Sequence, residues 1–524
     1  MSEFESNTNI IPSAPIPDSV LPIQISDIFA DYYHCVNHQV EPENYAKVWE
    51  VSAWVRDFRS QSEHAFISLT DGSTSQILQV FCEKANMPNF DSLDNLRGAT
   101  VKVRGLVKKS PAKGQDIEMV CETIEPIGLV ADKNSIILAK TVQLETLRGH
   151  QHLRSRFRTF NYIYKIRSQL LKHIHEFFHS KGFYNLDPNI ITTSDCEGAG
   201  EVFTITTHNV NKIAEIVESN CYERFVEKDE SSITIGSLTN SDLYKDDFFQ
   251  KQAFLTVSSQ LQLEALCAGL SRVYTLNPSF RAEKSKTKRH LGCFTHLEWE
   301  IAFIDINQLM DFSEALVKNV IGKTLKSCEY EYTELNKFIS KGIIDKLSNV
   351  VNEKFERISY DKAIELVEEH KKAILKKFSK EITIKDIPKW GDDVGSYCER
   401  YIAEEIYHKP VFIYNYPKEL KSFYMKQNDD GKSVQAVDLL MPTLGELIGS
   451  SIREDSYEKL VQRMDEKSMD KSVLQWYVDL RACSTFPHGG AGLGFDRLVN
   501  FCSLMDGNIR DVVPFPVSYQ ECDY

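Results

Sequence analysis

Two hydrophobic rhythms run along this chain. A period of two, the mark of half-buried strands, occupies Val48 to Val55, Ala65 to Thr70, Gln76 to Phe81, Thr100 to Val107 and Ile117 to Ile124, with a turn at Asp71–Gly72. Five short strands spaced so closely predict a small barrel within residues 21–130. A helical rhythm follows, in which Ile163, Ile166, Leu170, Leu171, Ile174, Phe177 and Phe178 share one face and Gly182 ends the run. Phe183 to Ile191 reads as a strand, and Pro188 cannot donate to a ladder. That places the strand at a sheet rim, where a subunit contact is plausible.

The remaining segments complete an α+β plan. Residues 1–20, with Pro12, Pro15 and Pro17 among polar neighbours, form a flexible lead-in. Residues 131–156 are a hinge and 157–524 a second, larger domain. Inside it, 209–247 is a polar insertion, and about 315–385, rich in Lys and Glu at helical spacing, is a solvated helical excursion. For the barrel the expected architecture is the OB-fold, whose exposed strand face stacks and pairs with single-stranded bases. Arg56, Phe66 and Gln79 are the candidates for that face.

A second stretch of alternation carries more chemistry. Ser279–Phe280–Arg281–Ala282–Glu283, a basic loop through Arg289–His290, and Phe294–Thr295–His296–Leu297–Glu298–Trp299–Glu300 read as a hairpin. Period two puts Arg281 and Glu283 on one face of the first strand, and Phe294, His296, Glu298 and Glu300 on one face of the second. Leu297, Trp299 and Ile301 take the other face. One side is then core and the other a platform bearing a cation, carboxylates and an aromatic ring, which suits a phosphate, an ammonium and a purine together. Taken alone, the same pattern also describes an amphipathic hairpin with solvated charges.

Composition narrows the classes. A chain of 524 residues exceeds what one core organises, so at least two domains are expected. The net charge of -14 argues against a generally basic coat for nucleic acid. Local patches remain: Lys102, Arg104, Lys108, Lys109 and Lys113 could track a phosphate backbone, and Leu153–Arg154–Ser155–Arg156 carries charge suited to a hinge. The 12 cysteines include no Cys-x-x-Cys pair, which favours reduced thiols and a cytoplasmic setting. The N-terminus shows no targeting pattern and no apolar stretch is long enough to span a bilayer, so no membrane partner is expected.

Three further clusters join the hairpin. Val257–Ser258–Ser259–Gln260 delivers Gln260 to a helix start, where a small polar ligand could be held. Asp438 and Glu446 flank a tight Pro442 to Gly445 turn, and these hard oxygen ligands suit Mg²⁺ bridging phosphates; a salt-bridged strand edge is the other reading. Pro487–His488–Gly489–Gly490–Ala491–Gly492–Leu493–Gly494–Phe495–Asp496–Arg497 is a glycine-rich strand turning into a helix, whose glycines would let a ligand approach the backbone and whose Arg497 can fork onto phosphate oxygens.

With Arg281 in the hairpin and Arg497 after the glycine strand, the set resembles motifs 2 and 3 of the class II aminoacyl-tRNA synthetases, and Phe183 to Pro188 resembles their motif 1. Thr193–Ser194–Asp195–Cys196–Glu197–Gly198–Ala199–Gly200–Glu201, Trp390–Gly391–Asp392–Asp393, Gly445–Glu446–Leu447–Ile448–Gly449 and Trp476–Tyr477–Val478–Asp479–Leu480–Arg481 are similar to the asparaginyl members of class IIb. The resemblance implies an antiparallel catalytic sheet flanked by helices, ATP and Mg²⁺ as substrate and cofactor, tRNA and asparagine as partners, a homodimer built through motif 1, and a barrel that reads the anticodon. It also implies roles. Arg281 holds the α-phosphate and Arg497 the γ-phosphate, Phe294 stacks the adenine, and Glu283, Arg289 and His290 engage the nucleotide or the tRNA end. Glu446 and Gly494 join the ATP site, Asp438 and Glu446 bind Mg²⁺, and Glu197, Gln260, Glu298, Arg453 and Arg481 enclose the amino acid.

Aspartate and asparagine differ by one charge. Aspartyl members typically show Ser-Pro-Gln-x-x-Lys, and Leu263 stands here at the lysine's position. Losing that cation favours the neutral amide, because a polar pocket wired for one pattern leaves groups unpaired with the other. Aspartate is the runner-up substrate, and a catalytically silent tRNA- or amino-acid-binding relative is the alternative of another class. An ammonia-using asparagine synthetase on the same core would lack the barrel. Two positions depart from the family pattern: Gly292–Cys293, where an acid usually precedes the aromatic residue, and Val517, where a basic residue often follows the last Phe-Pro.

Overall fold

The computed structural model describes residues 21–524 apart from 39, 88, 89, 91–95, 194–200, 217–242 and 506. It divides into two compact units, Met1–Asn161 and Tyr162–Tyr524.

In the first unit β1 (Ala46–Ser60), β2 (His64–Thr70), β3 (Leu78–Glu83), β4 (Thr100–Lys109) and β5 (Ile117–Gly128) close a barrel in the order β1-β2-β3-β5-β4. The pairings are antiparallel except β3 with β5. Alternation fixes the register, since Ala65, Ile67 and Leu69 are buried while Phe66, Ser68 and Thr70 take the outer face. This is the OB architecture that the spacing of the strands predicts. The sequence reading missed the helix Ile25–Asn37, which buries Ile25, Ile28, Phe29 and Tyr32 in the barrel core. Their i, i+3, i+4, i+7 spacing was the available signal.

Two expectations about basic residues change here. Lys102 pairs with Glu50 at 2.8 Å, Arg104 with Glu122 at 3.3 Å, Lys108 with Glu118 at 3.9 Å and Lys109 with Glu43. Acids match the stripe, three from neighbouring strands and Glu43 from the turn Pro42–Asn44, so these four do not make a continuous positive track. Arg154 is not a hinge cation but fully buried, 4.8 Å from the Phe160 ring.

The second unit is built on an eight-stranded mixed sheet. Its strands are β6 (Tyr184–Asn185), β10 (Arg272–Phe280), β11 (Cys293–Ala302), β12 (Glu356–Ser359), β13 (Val411–Pro417), β14 (Ser433–Met441), β15 (Gly445–Ile452) and β16 (His488–Gly494), in the order β12-β13-β14-β15-β16-β11-β10-β6. Only the terminal pairs, β6 with β10 and β12 with β13, are parallel. The helix Arg158–Ser180 supplies Ile163, Ile166, Leu170, Ile174, Phe177 and Phe178 to the core beneath this sheet.

Three expectations are corrected in this unit. Phe183 to Ile191 is not one strand: β6 ends at Asn185, and beyond Pro188 the chain joins a separate three-stranded sheet made by β7 (Ile191–Thr192), β8 (Thr204–Ile205) and β9 (Ala253–Leu255). The stretch 315–385 is no solvated excursion. Leu316, Val317, Val320, Ile321, Leu335, Leu347 and Val350 are buried in the main core, and β12 forms the sheet edge. Finally, β10 ends at Phe280, so Arg281 and Glu283 lie past the strand where the Ala282 amide donates to Glu201 O at 2.6 Å. On β11 both faces are buried from Leu297 to Ile301, because β10 and β16 flank it and side chains cover its two sides.

Candidate active site

The end of β10, the start of β11, the turn into β15 and the end of β16 enclose a cavity of about 140 Å³. Arg281, Glu283, Arg289, His290, Phe294, Glu446, Gly494 and Arg497 all line it. Every position expected to meet the nucleotide is thus brought to one place from three separate chain segments.

The cations around this cavity sit at its partly exposed rim. The Arg281 guanidinium sits 5.6 Å from the Phe294 ring centroid and 3.9 Å from Glu283 Oε1. Arg497, in the first turn of the helix Phe495–Ser503, donates to Glu446 O at 3.0 Å and stands 3.6 Å from Glu446 Oε2. Arg289 donates to Thr443 O at 3.2 Å. His290 is drawn toward Ser285 Oγ at 2.7 Å and Thr287 Oγ1 at 3.0 Å. Burial holds its ring below the usual imidazole range, and the cations Arg497, Arg281 and Arg289 add to that against Glu283.

The glycines of β16 also serve a purpose that the pattern alone does not show. A Cβ at Gly490 would stand 2.0 Å from Glu300 Oε2, and one at Gly492 would stand 2.4 Å from His296 Nε2. Gly490 and Gly492 thus make room for side chains of β11, while Gly492 and Gly494 also line the cavity. Asp496, which the sequence reading passed over, ties the region together: it accepts from Arg167 Nη1 at 2.5 Å and from the Thr295 amide at 2.7 Å.

Beside the cavity lie Asp438 and Glu446. An ideal Cβ on Gly449 would be 3.0 Å from Glu446 Oε1 and 3.7 Å from Asp438 Oδ1, so the two carboxylates converge over one glycine. Lys421, also unforeseen, donates to Asp438 Oδ2 at 2.6 Å and lies 3.9 Å from the Tyr416 ring centroid. Burial pushes the Asp438 carboxyl up, Lys421 opposes it and Glu446 adds to it. Glu399, again unforeseen, is pushed up to about 8 by burial and by the charges of Glu446, Asp438 and Asp393. Lys421 stands outside every quoted motif and Glu399 follows Trp390–Gly391–Asp392–Asp393 by six residues without repeating its pattern, so pattern alone does not show either.

The expected amino-acid contacts form the opposite kind of site. Glu298 is buried, accepting from Ser258 Oγ and from the Ser259 amide at 2.9 Å. Arg453 grips Glu300 with Nε at 3.1 Å and Nη2 at 2.9 Å, and donates to Ser451 Oγ at 2.7 Å. Arg481 Nη2 donates to Glu264 Oε2 at 2.7 Å, while Tyr477 Oη donates to the same oxygen at 2.7 Å. Gln260 Nε2 reaches Glu264 Oε1 at 3.0 Å. Leu263 turns away and packs with Cys267 and Val273. Glu197 lies outside the described residues.

On the barrel, Phe66 stands 5.3 Å from Phe81, and Gln79 Oε1 accepts from Ser68 Oγ at 3.3 Å across the β2–β3 pair. Arg56 sits where the β1–β2 register slips. It lines a cavity of about 290 Å³ together with Trp54, Arg59, Arg97, Arg156 and Arg158. Phe66 and Gln79 share the outer face; Arg56 is set to one side of them.

The two departures from the family pattern prove to be neighbours. The Gly292 amide donates to Val517 O at 2.7 Å, and Cys293 bridges Val517.

Comparison with known proteins gives consistent matches. A family profile described as tRNA synthetases class II (D, K and N) matches residues 236–519, and one described as an OB-fold nucleic acid binding domain matches 49–127. The asparagine–tRNA ligase of Bacteroides fragilis is 40% identical over 92% of this chain and 97% of its own length. That of Treponema denticola is 39% identical over 92% and 98%. Among solved structures, the asparaginyl-tRNA synthetase of Pyrococcus horikoshii complexed with asparaginyl-adenylate superposes with a TM-score of 0.74 at 31% identity, covering 92% of this chain and 97% of that one.

Proposed function

We propose how this site works from the premise that the chain belongs to the class II tRNA synthetases of the D, K and N group. It is an enzyme that ligates asparagine to tRNA with ATP as substrate. In the first step an oxygen of the asparagine α-carboxylate bonds to the α-phosphorus of ATP, the bond to the bridging oxygen breaks, and pyrophosphate leaves. In the second a ribose hydroxyl at the tRNA 3′ end attacks the acyl carbon and AMP leaves. Neither step needs a protein nucleophile. The task is to position anions and stabilise the charge that gathers between them.

Arg281 meets the α-phosphate, where its guanidinium can follow the developing charge, and Arg497 holds the γ-phosphate. Phe294 stacks the adenine, with Glu283, Arg289 and His290 closing over the nucleotide and then receiving the tRNA end. Gln260, Glu298, Arg453 and Arg481, with Glu197, surround the amino acid. Asp438 and Glu446 fit Mg²⁺, since two hard carboxylates converge over Gly449 beside the phosphate cavity. When bound, the ion would gather phosphate oxygens and offset their charge. Lys421 meanwhile holds Asp438 in place.

For the barrel we propose anticodon binding through Arg56, Phe66 and Gln79. Homodimerisation through the Phe183–Pro188 segment is supported by β6, which ends the sheet and leaves Tyr184 56% exposed. The cysteines among the described residues are free thiols, in keeping with the cytoplasm, and none of the described helices is long and apolar enough to cross a membrane.

The observation that carries this reading is the convergence of all eight nucleotide-contact residues on one cavity. Its test is asparagine-dependent and aspartate-dependent ATP–pyrophosphate exchange, followed by charging of tRNA. Exchange with asparagine well above that with aspartate is expected; preferential aspartate activation, or none with either, refutes it.

A further inference from the structure

Leu263 is a passive absence: buried with Cys267 and Val273, it points away from the polar pocket. One residue on, Glu264 is buried at the centre of that pocket. Its Oε2 accepts from Arg481 at 2.7 Å and Tyr477 Oη at 2.7 Å, and lies 3.1 Å from His488 Nε2. Its Oε1 accepts from Gln260 at 3.0 Å and lies 3.7 Å from Arg453 Nε. A helix delivers this geometry, because Gln260 and Glu264 are one turn apart on the same face of Gln260–Leu270 while Leu263 faces the core.

We propose that Glu264 is a positioning residue that sets the preference for the neutral side chain, by neutralising Arg481 and sharing Arg453 with Glu300. Among the described residues, Arg453 and Arg481 bring two positive charges and Glu264 and Glu300 two negative ones, and the buried Glu298 of the same contact set adds a third acid. A site whose cations are already matched by acids has no charge to offer a further carboxylate, so an aspartate side chain entering it would be an unpaired buried anion. An amide adds none. Burial alone would push the Glu264 carboxyl up, but Arg481, His488 and Arg453 outweigh it and hold it well below the usual range, so it stays ionised.

This inference rests on the amino acid lying against Gln260, Glu298, Arg453 and Arg481. The test is Glu264→Gln, which keeps shape and removes one charge. ATP–pyrophosphate exchange is measured with asparagine and with aspartate, giving KM and kcat for each. With one arginine left without its acid, the ratio of kcat/KM for asparagine over aspartate falls by about tenfold or more, through a raised asparagine KM and a lowered aspartate KM. A merely structural role would lower both substrates alike and leave the ratio unchanged, which overturns the proposal. Should that variant not fold, Glu264→Asp is read instead: the charge is kept and the reach shortened, so asparagine KM rises while the preference survives. Collapse of the preference with the charge retained also overturns it. If the parent protein does not prefer asparagine, the functional reading fails and this inference falls with it; a parent that prefers asparagine with an unmoved ratio in Glu264→Gln overturns this inference alone.

Discussion

The nucleotide cavity and the amino-acid network lie in the same sheet but handle charge in opposite ways. Around the cavity, the Arg281 and Arg497 side chains are 37% and 31% exposed, and stand 3.9 Å from Glu283 and 3.6 Å from Glu446. In the network, Arg453 and Arg481 are 4% and 2% exposed and paired at 2.9 and 2.7 Å. On the proposed reading, cations that remain partly exposed can be reached by a polyanion that arrives and leaves in each turnover. Cations locked to internal acids cannot offer charge, and so can tell a neutral side chain from a charged one. On the proposed reading, one site binds charge and the other refuses a second side-chain carboxylate.

The sharpest way to break this contrast is to remove one cation from each side. Arg281→Ala should lower asparagine-dependent pyrophosphate exchange by about a thousandfold, the scale of losing a preorganised partner of transition-state charge. Its unfolding midpoint in urea should stay near that of the parent, since exposed pairs contribute only about 0–1 kcal/mol. Near-normal exchange in that variant would remove Arg281 from the reaction.

Arg453→Leu should do the reverse. It strands Glu300, fully buried, and takes one partner from Glu264. Breaking a buried pair by removing one member costs about 3–5 kcal/mol. Urea denaturation should show that loss with or without ligands present. A stability loss no larger than that of Arg281→Ala would mean the two regions are not distinct in the way their geometry implies.

The same contrast explains what the sequence disclosed. Strand alternation located the barrel and the β10–β11 pair, since period two survives wherever one face is buried. The cavity's residues were legible because each stands in a contiguous motif. Glu264, Lys421 and Glu399 were not, because a buried acid or lysine has no local signature until its partners, here up to 224 positions away, are known. The glycines of β16 are legible as glycines but only half their purpose is, since only the register with β11 reveals Glu300 and His296 beneath them. Gly292 and Val517 looked like two independent departures, yet they pair with each other across the sheet edge. Helical spacing at 315–385 was read correctly as helix but not as core, because lysine-rich outer faces masked the buried stripe.

The smallest effect tests the loop that closes the cavity. His290 is held below the usual imidazole range by burial and by the surrounding arginines, so the folded chain resists a proton that the unfolded chain accepts. For a group so depressed, the proton uptake of the unfolded state dominates below about pH 6.5. Its contribution to stability is therefore complete above that pH and is lost as the pH falls toward the folded value. Ser285 Oγ and Thr287 Oγ1 both approach Nδ1, where the neutral ring can accept, and protonation would turn that atom into a donor. His290→Gln cannot titrate. Thermal unfolding from pH 7.5 down to 5 should show a shallower loss of Tm for the variant, with a difference equivalent to about 1 kcal/mol or less at the acid end. Parallel curves would mean that neither burial nor the cations around the cavity depress His290 in the folded chain.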